Sequence, residues 1–325
     1  MDKEQFLQES GELHYNVSDL ICAVFRSHGS AFFTPLMDVW HESVMNMLRP
    51  FCLPEDQQFA GSIVCDVIEY GLSSSSAAQY FEAVIPLLAE VCSTTTEPGP
   101  RRNAAYGLGM MCERYPMEFI RPHTQPVQVL AALRACVAKG EGPGESRGFA
   151  TDNAVSAVGI ILEQVDLHGE QVLEGAGLQS QVLWGQWLAY LPLRDDTDEG
   201  VKVLKQLVCL VNRRHGSLLS QQNHMARTVA ILLEVVHDPA ALGAHSVVEL
   251  CVHAVCDLFR GPNQLSADAL VVLRKTLSAE LNDTLTQIAH NYTEGSRGIV
   301  PVAAVTPSDT SASATVPIQD ILLRR

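Results

Sequence analysis

Apolar residues recur at three- and four-residue spacing along nearly the whole chain, and this repetition constrains the fold more than any other feature. Val17, Leu20, Ile21, Val24 and Phe25 form one stripe, and Phe33, Leu36, Met37, Trp40, Val44, Met47 and Leu48 another. Ile63, Val64, Val67 and Ile68 form a third. An i, i+3, i+4, i+7 pattern is that of a helix with one buried face. The breaks are short: His28-Gly29-Ser30, Pro50 to Pro54, Gly71 to Ser76 and Thr94 to Pro100. Alternating strand patterns bounded by tight-turn pairs are absent. The pattern predicts an all-α chain of helix–turn–helix units laid end to end.

Those units repeat. Asn103-Ala104-Ala105-Tyr106-Gly107-Leu108-Gly109 matches Asn153-Ala154-Val155-Ser156-Ala157-Val158-Gly159 at an offset of 50 residues. A Gly/Pro-rich insert, Lys139 to Gly148, lies between them. Without roughly ten insert residues the period is about 40, that of HEAT-type helical pairs. Asp56, Arg101, Asp152 and Asp196 mark four helix starts at similar spacing. Residues 1–291 are therefore expected to form a right-handed HEAT-repeat α-solenoid of about seven helical pairs. Residues 292–325, rich in Ser, Thr, Ala, Val and Pro, carry no helical stripe and are expected to be largely disordered. Ala104, Ala105 and Leu108, like Ala154, Val155 and Val158, fall on one helix face, where small side chains let neighbouring helices approach. Glycine inside a helix costs about 1 kcal/mol, so Gly107, Gly109 and Gly159 need that close packing as compensation. Gly107-x-Gly109 is no phosphate loop, because no third glycine follows and no strand precedes it.

Composition narrows the function. Of 325 residues, 47% are hydrophobic and only 6% aromatic, ample material for an aliphatic helical core. Acids outnumber bases 37 to 22, giving a formal charge of −15. That argues against nucleic acid, whose binders neutralise phosphates with Lys and Arg, and suits basic partners. No apolar leader follows Met1, and no apolar run approaches the length of a membrane span. The triplets at Asn16, Asn282 and Asn291 are then chance matches to a glycosylation signal. Nine cysteines, without a C-x-x-C pair, read as buried reduced thiols of a cytosolic or nuclear protein. His41-Glu42 does not complete H-E-x-x-H, because Met45 stands where the second histidine is needed. Cys251 and His253 point to different faces of one helical segment, and no nucleophile elbow is present. Neither enzyme chemistry nor a metal or cofactor is expected.

Three groups of residues stand out. Asp195, Asp196, Asp198 and Glu199 lie within five residues at a helix start. Acids there cap free N–H groups and complement the helix dipole, each contributing about 0.3–1 kcal/mol when exposed. Four exceed what capping needs. The second helices of a HEAT solenoid line its concave surface, so these acids also suit a basic ligand. Asn103 and Asn153 occupy equivalent first-turn positions with Tyr106 and Ser156 one turn on, and the asparagines read equally as local caps. Trp184 and Trp187, at i and i+3, read as core residues or as the wall of an aromatic-accepting groove.

Arg101-Arg102-Asn103-Ala104-Ala105-Tyr106-Gly107-Leu108-Gly109 resembles the R-x-A-A-A-Y-G-L-G helix of the importin-β (karyopherin-β) family, in its importin-five-like branch. Phe32-Phe33-Thr34-Pro35-Leu36 resembles A-F-L-P-L of that branch, and Cys65-Asp66-Val67-Ile68-Glu69 resembles D-D-V-I-E. The Asn153 heptapeptide resembles N-C-I-S-A-V-G, Trp187 to Leu193 resembles W-L-S-W-L-P-L, and Asp195 to Glu199 resembles E-D-K-E-E. The resemblance runs from about residue 15 to about residue 220, with a looser continuation to about 290, and is to the C-terminal part of these longer receptors. It implies a nuclear transport receptor, or its C-terminal piece, that carries basic cargo with nuclear localisation signals between cytoplasm and nucleus through the nuclear pore. By the resemblance, inner-face Asn amides hold peptide backbone and acids pair with Lys and Arg. Phe-Gly nucleoporins would enter grooves between outer helices, and the main contacts with the GTPase Ran lie in an N-terminal arch not represented here. The alternative is a HEAT scaffold, of phosphatase-subunit or assembly-chaperone type, without a transport role.

Overall fold

The structure, a computed structural model, describes residues 3–121, 125–140, 148–260, 265 and 267–293. The expectation of a disordered C-terminal tail, and most of the Lys139–Gly148 insert, lie outside the described residues. Among those described the chain forms sixteen α-helices and no strand. They are α1 (Lys3–His28), α2 (Phe33–Met47), α3 (Pro54–Asp66), α4 (Ser74–Thr94), α5 (Pro98–Arg114), α6 (Pro116–Phe119), α7 (Pro126–Lys139) and α8 (Phe149–His168). There follow α9 (Glu170–Gly175), α10 (Ser180–Tyr190), α11 (Thr197–Asn212), α12 (Gly216–Leu219), α13 (Gln222–His237), α14 (Val248–Arg260), α15 (Ala267–Thr276) and α16 (Ala279–Thr293).

The breaks have local causes. Pro54, Pro98 and Pro126 each open a helix, where a missing N–H is harmless and a fixed φ is suitable. The Ser76 hydroxyl accepts the Ser73 N–H at 3.1 Å, fastening the start of α4. Two helices begin earlier than the spacing suggested. Pro98 starts α5 and Phe149 starts α8, so Asn103 and Asn153 sit in second turns, not first turns. Gly148 allows this in α8: at φ 81° it turns the chain sharply into the helix.

The helices pack as a two-layer array. Second helices stand side by side in chain order, α1 on α3, α3 on α5, α5 on α8, α8 on α11 and α11 on α14. First helices cover them from one side: α2 on α3, α4 on α5, α7 on α8 and α13 on α14. Helices α4 and α7, and α10 and α13, also touch each other. One buried aliphatic core runs from Ile21 to Ile288 through every unit. This is a HEAT-type α-solenoid, in which each unit rests on its neighbours.

The glycines act where helices come closest. A Cβ on Gly109 would lie 2.9 Å from the Ala157 Cβ, so the α5–α8 junction exists only with small residues on both sides. A Cβ on Gly159 would lie 2.6 Å from the Trp187 Nε1. Helix ends are tied across units. Buried Arg101 donates from Nη1 to the Cys136 carbonyl at 3.3 Å, in the last turn of α7, where carbonyls lack helical partners. Lys139 Nζ does the same for Thr95 O at 2.8 Å, just past α4.

Candidate functional site

The second-helix wall carries a ladder of polar side chains. Asn103, Asn153 and Asp196 are equivalent positions on α5, α8 and the start of α11, and Tyr106, Ser156 and Glu199 lie three residues on. Asn153 Nδ2 donates to Asp196 Oδ2 at 2.9 Å and to Phe149 O at 2.9 Å. Ser156 Oγ donates to Glu199 Oε2 at 2.5 Å. Asn103 Nδ2 reaches the preceding unit, donating to Gln58 O at 3.0 Å and Ser62 Oγ at 2.9 Å. Asp152 accepts the backbone N–H groups of Asp195 and Asp196 at 2.8 and 2.9 Å. Asp195 accepts the Gly148 N–H at 2.8 Å, and Asp196 caps α11 by accepting the Glu199 N–H at 3.3 Å.

This ladder bounds a cavity of about 480 Å³. Its fourteen lining residues come from α1, α3, α5, α8, α11 and the turns at their ends, and include six acids and one base. The acids are Asp19, Asp66, Glu69, Asp196, Asp198 and Glu199; the base is Arg102. Burial raises the carboxyl pKa of Asp66, Asp152 and Glu199, hydrogen bonds and Lys202 pulling only partly the other way. Burial likewise raises the Tyr106 phenol, with Glu69 adding to it. The Cys22 thiol on α1 is pushed up to about 11, by burial first and Asp66 second. A site whose acids outnumber its bases, with Asp66 and Glu199 partly desolvated, favours a cationic ligand, because a cation restores the compensation that water gave those carboxylates.

The structure brings together Asn103, Tyr106, Asn153, Asp196, Asp198 and Glu199 on this one cavity; Ser156 supports it from behind. The reading of the acidic run as exposed needs correction. Only Asp198 is exposed; Asp195 is half-buried, and Asp196 and Glu199 are buried. The cause is the ladder itself, since each acid satisfies donors of the preceding unit. Both asparagine amides already spend their donors inside the solenoid, so toward a ligand they offer their carbonyl oxygens.

Trp184 and Trp187 are both buried. Their rings meet edge to face at 5.1 Å, Trp184 Nε1 donates to Asp166 Oδ2 at 2.7 Å and Trp187 Nε1 to Val155 O at 3.0 Å. Trp187 also lines an apolar notch of about 400 Å³ between α7, α8 and α10, with Leu130, Val137, Val158, Leu162 and Leu183. Trp184 does not line it.

Sequence reasoning missed Arg102, Phe149, Asp19, Asp66 and Glu69, and used Asp152 only as a spacing mark. The 43-residue step that joins Asn153 to Asp196 and Ser156 to Glu199 is the signal that places Asp152 opposite Asp195. Among the described residues no three His, Cys, Asp or Glu side chains converge as metal ligands. No described helix is long and apolar enough to cross a membrane.

Over 183 residues the chain is 24% identical to a protein described as a probable importin-5 homolog, from Dictyostelium discoideum. The match covers 55% of this chain and 16% of that protein, so the chain corresponds to a small part of its relative's length. No family model matches the chain. The similarity agrees with the helical-repeat architecture.

Proposed function

We propose that this chain works as part of an importin-type nuclear transport receptor, binding basic segments of cargo proteins non-covalently along its second-helix wall. One observation carries the reading: a cavity built from five neighbouring second-layer helices holds six carboxylates against one guanidinium. The relative's description as a probable importin-5 homolog supports the transport role. The apolar notch beside Trp187 is the place for a phenylalanine of a nucleoporin Phe-Gly repeat. Exchange between cytoplasm and nucleus through the pore follows from those two activities. No catalytic step is part of the reading.

Fluorescence anisotropy with labelled lysine/arginine-rich peptides tests the wall. The exposed acids Asp19 and Asp198 are changed together to Lys. The double variant should keep its helical circular dichroism and lose about tenfold in affinity at low salt, the difference shrinking as salt screens it. Equal affinity of variant and parent, or no binding by the parent at low salt, overturns the reading.

A further inference from the structure

Arg102 is out of character with its surroundings. It is the one base among the residues lining the acidic cavity. From the second turn of α5 its Nη2 donates to Asp196 Oδ2 at 3.0 Å, and its guanidinium carbon lies 4.9 Å from the centre of the Phe149 ring. These contacts span three second-layer helices. The arginine side chain is nonetheless 48% exposed, whereas that of Asp196 is 7% exposed.

The seat beneath the guanidinium is built without it. Asn153 Nδ2 fixes the same Asp196 Oδ2, the Glu199 N–H fixes Oδ1, and the Asp196 backbone N–H is anchored on Asp152. Phe149, the first residue of α8, keeps 47% of its surface exposed beside that buried carboxylate. A fixed carboxylate edge next to an open aromatic face matches a planar cation, which pairs through its N–H edge and stacks through its face. An ammonium is also drawn to an aromatic face, but as a compact, strongly hydrated point charge it can neither stack flat nor present a forked edge, so it matches the pair less well. Arg102 itself is fastened by one half-exposed ion pair and one surface stacking contact, both weak and exchangeable.

We propose that Asp196 and Phe149 form a seat for the guanidinium of an arginine in a bound basic chain, and that Arg102 is a built-in competitor occupying this seat until the ligand's arginine displaces it. The inference rests on the basic-peptide reading above and adds which side chain is chosen and where.

The test uses the full chain and two labelled peptides of equal length and charge, one carrying arginines and the other lysines. Arg102→Ala opens the seat. The exposed Lys205→Ala, on α11 but outside the residues that line the cavity, removes the same unit of charge and serves as control. Arg102→Ala should bind the arginine peptide roughly three- to tenfold more tightly than the parent does. It should gain no more for the lysine peptide than Lys205→Ala does. Adding Phe149→Leu to Arg102→Ala should abolish the preference for arginine. Circular dichroism confirms that each variant is folded. If the parent binds basic peptides but Arg102→Ala gains no more than Lys205→Ala, or gains equally for both peptides, the competitor is overturned and the acidic wall stands. If neither parent nor Arg102→Ala binds either peptide, both fall.

Discussion

Helix α8 carries two surfaces of opposite character, one turned to each layer of the solenoid. Asp152, Asn153 and Ser156 meet the acids of α11 on the second-helix wall, whereas Val155, Val158 and Leu162 line the notch toward α7 and α10. The polar surface is preformed: Asp152, Asn153 and Ser156 are buried and their hydrogen bonds run to the next unit. The apolar surface is left partly open, with Val158 half-buried over an empty space of about 400 Å³. On the proposed reading, one face binds by fixed charge and the other by filling a gap. The two are joined through Trp187, whose ring packs against Gly159 and whose Nε1–H donates to Val155 O.

The largest effect should come from breaking that joint. Gly159→Val drives methyl groups into the Trp187 ring, and the tryptophan can yield only toward the notch, at the cost of its hydrogen bond to Val155 O. Unfolding by urea should show a loss of about 3 kcal/mol, at the upper end for overpacking, with binding on both surfaces weakened. A loss below about 0.5 kcal/mol would mean that the two faces are not clamped through this contact.

Next in size is a change confined to the polar face. Asp152→Ala leaves the N–H groups of Asp195 and Asp196 without their buried acceptor, which costs about 2 kcal/mol. Basic-peptide affinity should fall with it, because the turn that aims Asp196 loosens. Asp152→Asn, which keeps an acceptor oxygen, should recover much of both. Binding of a phenylalanine-containing peptide in the notch should not change.

The matching change on the apolar face is smaller. Val158→Ser swaps a half-buried aliphatic for a hydroxyl, removing about 1 kcal/mol of apolar contact from any ligand lying there. A Phe-Gly peptide should bind about fivefold more weakly, and basic peptides as before. Weakening of both ligand classes would show that the faces are coupled beyond Trp187.

What could be read from the sequence divides along the same line. The helices were legible because apolar periodicity and Pro or Gly punctuation act locally, and Pro54 and Gly71 mark boundaries on their own. The equivalence of Asn103 and Asn153 was legible because a repeat preserves register. The burial of Asp196 and Glu199 was not: a charged residue at a helix start reads as solvent-exposed unless the donors of the preceding unit are known, and those lie 43 residues away. The acids of α1, of α3 and of the turn that follows α3 were missed for the same reason. Asp19, Asp66 and Glu69 are unremarkable on their own helices and become a site only when α1, α3 and α5 stand side by side.

The smallest effect separates binding from stability within the polar face. Glu199 is buried, accepts from Ser156, and has its pKa raised chiefly by desolvation. The folded chain therefore holds this proton to higher pH than the unfolded chain does. By linkage the residue's contribution to stability falls as pH rises from the ordinary carboxylate value through the raised one, and stays at its lowest at neutral pH. Glu199→Gln removes the charge and keeps an oxygen for the Ser156 hydroxyl. The variant should be at least as stable as the parent at neutral pH, and its stability should vary less over that acidic window, as followed by thermal melts between pH 4 and pH 7. Basic-peptide affinity should drop about two- to threefold, the scale of one partly screened charge. A variant that melts early, as Asp152→Ala should, would make Glu199 a structural rung of the ladder and leave the exposed acids to attract the ligand.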